Sequence, residues 1–148
     1  MAITLNDCIN AVADKLKSLY PTYDIYIDEV LQTDNMTEVK DYFYIDHINT
    51  IPFDSLMGRM RIRHFLDISY IQEKNKNLDY FGWVDKMSKE FKELEVNGVV
   101  VFVEDVVFEK VDKIGHCTFN ISYFIRSFEE YEKMQEMEAK IDGRKYRQ

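Results

Sequence analysis

The chain has 148 residues, of which 46% are hydrophobic, which suffices to bury the core of one domain without disulfides or metals. Its formal net charge of -8 argues against a protein whose main task is to hold nucleic-acid phosphates. Because it shows neither a signal sequence nor an apolar run of roughly 18 residues, we expect an intracellular protein that binds neither membranes nor a specific nucleic-acid sequence.

The first part of the chain predicts one helix followed by short strands. Apolar residues spaced by three and four predict an amphipathic helix over residues 5–19. Thr4 is its expected N-cap, and Pro21 is expected to end it because proline disfavours helical geometry in the residue before it. Aromatic and β-branched residues then predict two strands, over 23–28 and 41–47.

Nearly complete alternation between Arg59 and Ile71 predicts a long strand with two different faces. One face would be apolar apart from His64, which we interpret as a core or interface histidine and not as a catalytic one. The other face would carry Arg59, Arg61 and Arg63, spaced about 7 Å apart by the rise of a strand. Such a row is either a solvated face or a row of salt bridges between subunits, and the sequence leaves both open.

The second part of the chain predicts a helix and then hairpins. The helix is expected over residues 78–91. Its buried side would consist of Phe81, Val84, Met87 and Phe91. Asn97–Gly98 is a strong hairpin signal, because a type I′ turn needs positive φ at both central residues. Strands are expected over 99–103, 106–111 and 116–126, with a turn at Ile114–Gly115 before the last. This order favours an α+β fold with a mainly antiparallel sheet and two helices packed on one face.

The last segment looks like a further amphipathic helix, ended by Gly143. Its apolar stripe lies among glutamates and consists of Phe128, Tyr131, Met134, Met137 and Ile141. A stripe of this size must be buried, either against the domain's own core or against a neighbouring subunit. We divide the chain into an α+β domain over 1–126 and a C-terminal helical arm over 127–148, and we expect the arm to dock on another subunit.

The sequence shows no constellation of residues for catalysis, cofactor binding or metal binding. It has five glycines and no glycine-rich phosphate-binding pattern. Cys8 and Cys117 are far apart in segments that otherwise face a core, so we expect free, buried thiols and neither zinc ligands nor nucleophiles. We therefore predict no catalytic, cofactor or metal site, and a protein that is not an enzyme.

Six stretches, taken in order, form a recognisable series. They are Thr4–Asp7, Tyr20–Val30, Arg61–Tyr70, Val96–Gly98, Phe119–Tyr123 and Met134–Glu138. In this order they resemble the tail terminator family of phages, prophages and phage-tail-like bacteriocins of Gram-positive bacteria. The stretch over 46–58, which contains Ile51-Pro52-Phe53, departs from the family pattern, so no residue role is transferred there.

The resemblance implies a subunit that forms a ring, expected to be a hexamer, on the last ring of a tail tube. There it would stop tube polymerisation and join the tube to the sheath of a contractile tail, a collar or a head connector. It would assemble in the host cytoplasm and end in a phage or phage-tail-like particle. The expected subunit interfaces are the arginine row and the C-terminal stripe. The alternatives are another tail or neck component, such as a tube subunit or head-completion protein, or a cytosolic module that binds a small ligand.

Overall fold

The computed structural model describes residues 3–27, 40–54 and 56–126. Within them lie two α-helices and one sheet of six strands. The helices are α1 (Leu5–Leu19) and α2 (Asn77–Glu90). The strands are β1 (Asp24–Tyr26), β2 (Tyr42–Asp54), β3 (Arg59–Ile71), β4 (Glu93–Val96), β5 (Val99–Val111) and β6 (Ile114–Arg126). A 3₁₀ turn over Leu56–Gly58 joins β2 to β3.

The strands lie in the order β1-β2-β3-β6-β5-β4, and every neighbouring pair is antiparallel except β1 and β2. Both helices pack on one face of this sheet, which we call the inner face, and the opposite face is the outer face. This confirms the predicted α+β class with a mainly antiparallel sheet. The predicted C-terminal helical arm over 127–148 lies outside the described residues.

Helix α1 forms where the sequence predicts it because both of its ends are encoded locally. The Asp7 backbone N–H donates to Thr4 Oγ1 at 3.1 Å, and the Thr4 N–H donates to Asp7 Oδ2 at 3.0 Å. This reciprocal capping box satisfies two backbone donors that a helix start otherwise leaves unpaired. At the other end, the chain leaves the helix at Tyr20, directly before Pro21.

The core is built around aromatic rings between α2 and the inner face. The Trp83 indole lies 5.2 Å from the Tyr70 ring and 5.5 Å from the Phe108 ring, measured between ring centroids. Burial of side chains this large supplies much of the free energy that offsets chain ordering. Gly115 lies on β6 beside this cluster, where a Cβ atom would come within 2.7 Å of the Tyr80 ring. Its small size therefore lets α2 approach the sheet.

The predicted buried side of α2 is wrong at one position. Phe81 is 54% exposed, whereas Trp83, which we did not assign to the core, is 2% exposed. Trp83, Met87 and Phe91 are each four residues apart, close to the 3.6-residue helical repeat, and therefore share one side. Phe81 precedes Met87 by six residues, about one and two-thirds turns, and so points elsewhere.

Three strand boundaries also differ from the sequence expectation. The segments over 99–103 and 106–111 form one strand, β5, with a bulge between Glu104 and Val107 where Asp105 has a φ of 53°. The turn before β6 lies at Asp112 and Lys113, which both have positive φ, and not at Ile114–Gly115. Strand β2 continues to Asp54, because its second half pairs with the start of β3. The Asn97–Gly98 hairpin is confirmed, with positive φ at both residues.

Candidate protein-interaction surface

The outer face of the sheet brings the three predicted arginines together at one end of β3. Residues of β3 alternate between the two faces, and the inner-facing His64, Leu66, Ile68 and Tyr70 are buried. Arg59, Arg61 and Arg63 consequently lie on the outer face, as predicted. Neither described helix packs on this face. Arg59 is therefore exposed, and Arg61 and Arg63 are only partly buried.

Two phenylalanines from the neighbouring strands lie beside the arginines. The Arg59 guanidinium carbon is 4.5 Å from the centroid of the Phe124 ring, and that of Arg63 is 5.5 Å from the Phe53 ring. Both distances are in the range of cation–π attraction between a guanidinium group and the face of an aromatic ring. We call these five residues, Phe53, Arg59, Arg61, Arg63 and Phe124, the arginine–phenylalanine patch.

The charges of this patch are not neutralised by the part of the chain that the structure describes. Arg61 Nη2 donates to Ser122 Oγ at 3.2 Å, and Ser122 in turn lies 3.4 Å from Glu104 Oε1. No carboxylate among the described residues forms an ion pair with any of the three guanidinium groups. The Nε atom of Arg63 is also buried without a hydrogen-bond partner among them. A guanidinium group offers five donors in a planar fork, so the described residues use only a small part of this donor capacity.

Further exposed apolar side chains lie on the same face as the patch. They are Ile51 of β2 and Val100, Phe102 and Val107 of β5. Single exposed apolar residues are ordinary, but a group that shares one face with arginines that no described carboxylate neutralises is typical of a surface that packs against another protein. Arginine and phenylalanine are both enriched in the centres of such interfaces.

Sequence reasoning missed Phe53 and Phe124 as members of this surface. Phe53 falls in the stretch over 46–58, to which the family resemblance transfers no residue role, and Phe124 lies in a strand that the sequence alone does not place beside the arginines. Their proximity to the arginines depends on the register of three strands, in which Arg61 pairs with both Phe53 and Phe124. The other predicted interface residues, Phe128, Tyr131, Met134, Met137 and Ile141, lie outside the described residues.

A cluster of Asp67, Ser69 and His116 on the outer face contains the residue types of a catalytic triad. Asp67 Oδ2 lies 2.9 Å from His116 Nδ1, and Ser69 Oγ lies 3.2 Å from the same nitrogen. A triad needs the carboxylate and the hydroxyl on opposite ring nitrogens, so that the ring can orient on one and take a proton at the other. This cluster therefore connects β3 to β6 and is not arranged for nucleophilic catalysis.

The two cysteines are free and buried, as predicted. Burial raises the pKa of Cys8 to about 11 and that of Cys117 to about 12. Both remain neutral thiols near pH 7 and are poor nucleophiles, because the thiolate is the reactive form.

Among the described residues, no three His, Cys, Asp or Glu side chains are grouped so that they could hold a metal ion. Neither described helix is long and apolar enough to cross a membrane.

His64 lies at the centre of a chain of hydrogen bonds within the inner face. Its Nδ1 is 2.7 Å from Thr50 Oγ1, its Nε2 is 2.8 Å from the Tyr123 hydroxyl, and Thr50 Oγ1 is 2.6 Å from His47 Nε2. Neutral imidazole donates from one nitrogen and accepts at the other, which satisfies both partners. Burial, and secondarily His47, hold the pKa of His64 below its ordinary value of 6.5. It is a core histidine.

We expect the fold to lose stability as the pH falls from 7.5 to 5.5. Because the pKa of His64 is lowered in the folded chain, the unfolded chain binds a proton first as the pH drops through about 6.5. The contribution is fully present above that pH and is lost below it. Urea unfolding at several pH values measures the slope. His64→Phe should be less stable throughout but should flatten this slope, and an unchanged slope would contradict the assignment.

The described residues thus form an α+β domain whose open sheet face carries the arginine–phenylalanine patch. A family model described as phage tail terminator protein matches residues 7–141, which is most of the chain. The chain belongs to this family and is a structural component of a phage tail. No curated protein matches it. One solved chain without a descriptive name aligns with 83% of this chain and 95% of its own length, at 11% identity and a TM-score of 0.44.

Proposed function

We propose that copies of this chain form a ring, with six copies, on the last ring of the tail tube. The ring stops further polymerisation of the tube and presents its other side to the sheath of a contractile tail, a collar or a head connector. Assembly takes place in the host cytoplasm. The observation that supports an assembling subunit, beyond family membership, is the arginine row that no described carboxylate neutralises.

The charge of the subunit gives this row a physical role. Each copy carries a formal net charge of -8, so copies packed side by side repel one another unless cations of one meet acids of the next. Arg59, Arg61 and Arg63 are presented together on an open face and are suited to that contact. An interface that removes them from water also strengthens their attraction to a carboxylate.

We propose that the chain divides after the last described strand. Among the described residues, the buried core cluster lies between α1, α2 and the inner face. We propose that residues 1–126 form the domain and that residues 127–148 act as an arm at a subunit interface, with Phe128, Tyr131, Met134, Met137 and Ile141 as its buried stripe. These apolar residues are enough to matter for association, since burial of one large side chain is worth about 1.5–3 kcal/mol.

Capping of tubes by the purified chain tests this function. Added to tube subunits of the same phage as they polymerise, the wild-type chain should shorten the tubes, as measured by electron microscopy. Arg61→Glu should need at least tenfold more protein for the same shortening, because the new carboxylate lies near Glu104 and would repel the acidic groups expected on the neighbouring subunit. A tenfold change corresponds to about 1.4 kcal/mol.

Lys89→Glu is the matched control, since it makes the same change of charge on the exposed end of α2. It should cap tubes like the wild type. Equal capping by Arg61→Glu and Lys89→Glu would mean that the arginine row is merely a solvated strand face. Tubes that become longer because they incorporate the chain would identify a tube subunit and contradict the proposed function.

A further inference from the structure

The arginine–phenylalanine patch has a composition that defines its partner. The three guanidinium groups would bind carboxylates. The rings of Phe53 and Phe124 are 40% and 53% exposed and would pack against large apolar side chains. A purely acidic ligand would leave the rings in water, and a purely apolar one would bury unpaired charges at high cost. The complementary partner is a segment in which acidic and apolar residues are interspersed.

The chain itself contains a segment of this composition. Residues 128–138 have the sequence FEEYEKMQEME, in which five glutamates and one lysine alternate with Phe128, Tyr131, Met134 and Met137. Arginine pairs with carboxylates through two parallel hydrogen bonds, and methionine sulfur packs well against aromatic ring edges. This one short segment therefore contains carboxylates for the three arginines and apolar side chains for the two phenylalanines of the patch.

The direction of β6 favours the patch of another copy over the patch of the same chain. Strand β6 ends at Arg126, which pairs with Arg59 at the end of the sheet. As β6 runs toward Arg126, it passes first the level of Arg63 and then that of Arg61, so it leaves these two behind. At its end, β6 therefore lies beside the patch and points away from Arg61 and Arg63, toward the space next to this end of the domain.

We propose that residues 128–138 of one copy bind the arginine–phenylalanine patch of the next copy. This rests on the proposed function insofar as that function places copies side by side. Each subunit then donates one segment and receives another, so that the contact is heterologous, and a heterologous contact closes into a ring when the rotation between copies allows it. The inference joins the two predicted interfaces into a single contact.

Complementary charge reversals test this contact in the full-length chain. The patch variant carries Arg59→Glu and Arg61→Glu, and it spares Arg63, whose Nε is buried. The segment variant carries Glu129→Lys, Glu130→Lys and Glu132→Lys. Association is measured by analytical ultracentrifugation of the chain alone and by the shortening of tubes grown from tube subunits. Circular dichroism and thermal unfolding establish that each variant is folded like the wild type.

Each variant alone should associate and shorten tubes at least tenfold more weakly than the wild type, because like charges then meet at every contact. An equimolar mixture of the two should recover both activities. In the mixture, the acidic segment of one variant meets the arginines of the other, and the lysine segment meets the introduced glutamates. A single chain that carries all five substitutions should recover as well.

Recovery by the chain with all five substitutions but not by the mixture would show that the segment binds its own patch, and this would overturn the proposal. Wild-type behaviour of both separate variants would also overturn it while leaving the proposed function intact. A variant that is misfolded is replaced by one that carries a single charge reversal, Arg61→Glu for the patch or Glu130→Lys for the segment, with the same criteria applied. A wild-type chain that neither associates nor shortens tubes would overturn the proposed function, and the inference with it.

Discussion

Phage that lack this chain are expected to produce tails of uncontrolled length. A tube grows by adding subunits to an end that offers the same binding surface after each addition, so growth without a cap continues until subunits run out. Electron microscopy of lysates from a deletion strain should show a broad length distribution, with many tubes several times longer than normal tails and not joined to heads. The membership of the chain in the phage tail terminator protein family motivates this expectation.

Supplying the wild-type chain from a plasmid is the control, and it should restore a narrow distribution of tail lengths. Supplying Arg61→Glu should restore it only partly, whereas Lys89→Glu should restore it fully. Tails of normal length and normal joining to heads in the deletion strain would show that this chain does not limit the growth of the tube.

Trp83→Ala is expected to destabilise the fold by about 3–5 kcal/mol, the usual cost of removing a large buried aromatic side chain. Trp83 is 2% exposed and contacts rings from three strands, namely Phe43 of β2, Tyr70 of β3 and Phe108 of β5. Its removal leaves a cavity between α2 and the sheet that the surrounding rings can fill only in part. Urea denaturation monitored by far-ultraviolet circular dichroism measures the free energy of unfolding.

Phe81→Ala is the matched control, because it truncates an aromatic residue two positions earlier on the same helix. Phe81 is more than half exposed, so its loss should cost less than about 1 kcal/mol. The comparison tests whether Trp83 faces the core, as in the structure, or Phe81 does, as the sequence pattern predicts. A larger loss of stability for Phe81→Ala than for Trp83→Ala would mean that α2 is rotated about its axis relative to the described structure.

The elements that could be predicted from the sequence are those whose causes lie within a few neighbouring residues. Helix α1 begins at a capping box between Thr4 and Asp7, which are three residues apart, and it ends before Pro21. The bounds of β3 follow from a period of two, and the Asn97–Gly98 turn follows from backbone preferences at two positions. The presence of two helices and a mainly antiparallel sheet follows from the order of these elements.

The interaction surface could be predicted only in part, for the same reason. The arginine row is a property of one strand, so alternation alone places Arg59, Arg61 and Arg63 on one face. Phe53 and Phe124 join it through pairing between strands, and the hydrogen bond from Arg61 to Ser122 joins residues 61 positions apart in sequence. Pairing across such distances is chosen by the packing of the whole sheet, not by local preference.

The amino-acid sequence by itself therefore determined the helix and strand periodicities, the capping and hairpin signals, and the excess of negative charge that makes the arginine row notable. Only the tertiary structure decided that Trp83, and not Phe81, faces the core, that the turn before β6 lies at Asp112 and Lys113, and that two phenylalanine rings flank the arginines. The reason is that backbone preferences act over one turn or one residue pair, whereas helix rotation and strand register are set by which arrangement buries the most apolar surface at once.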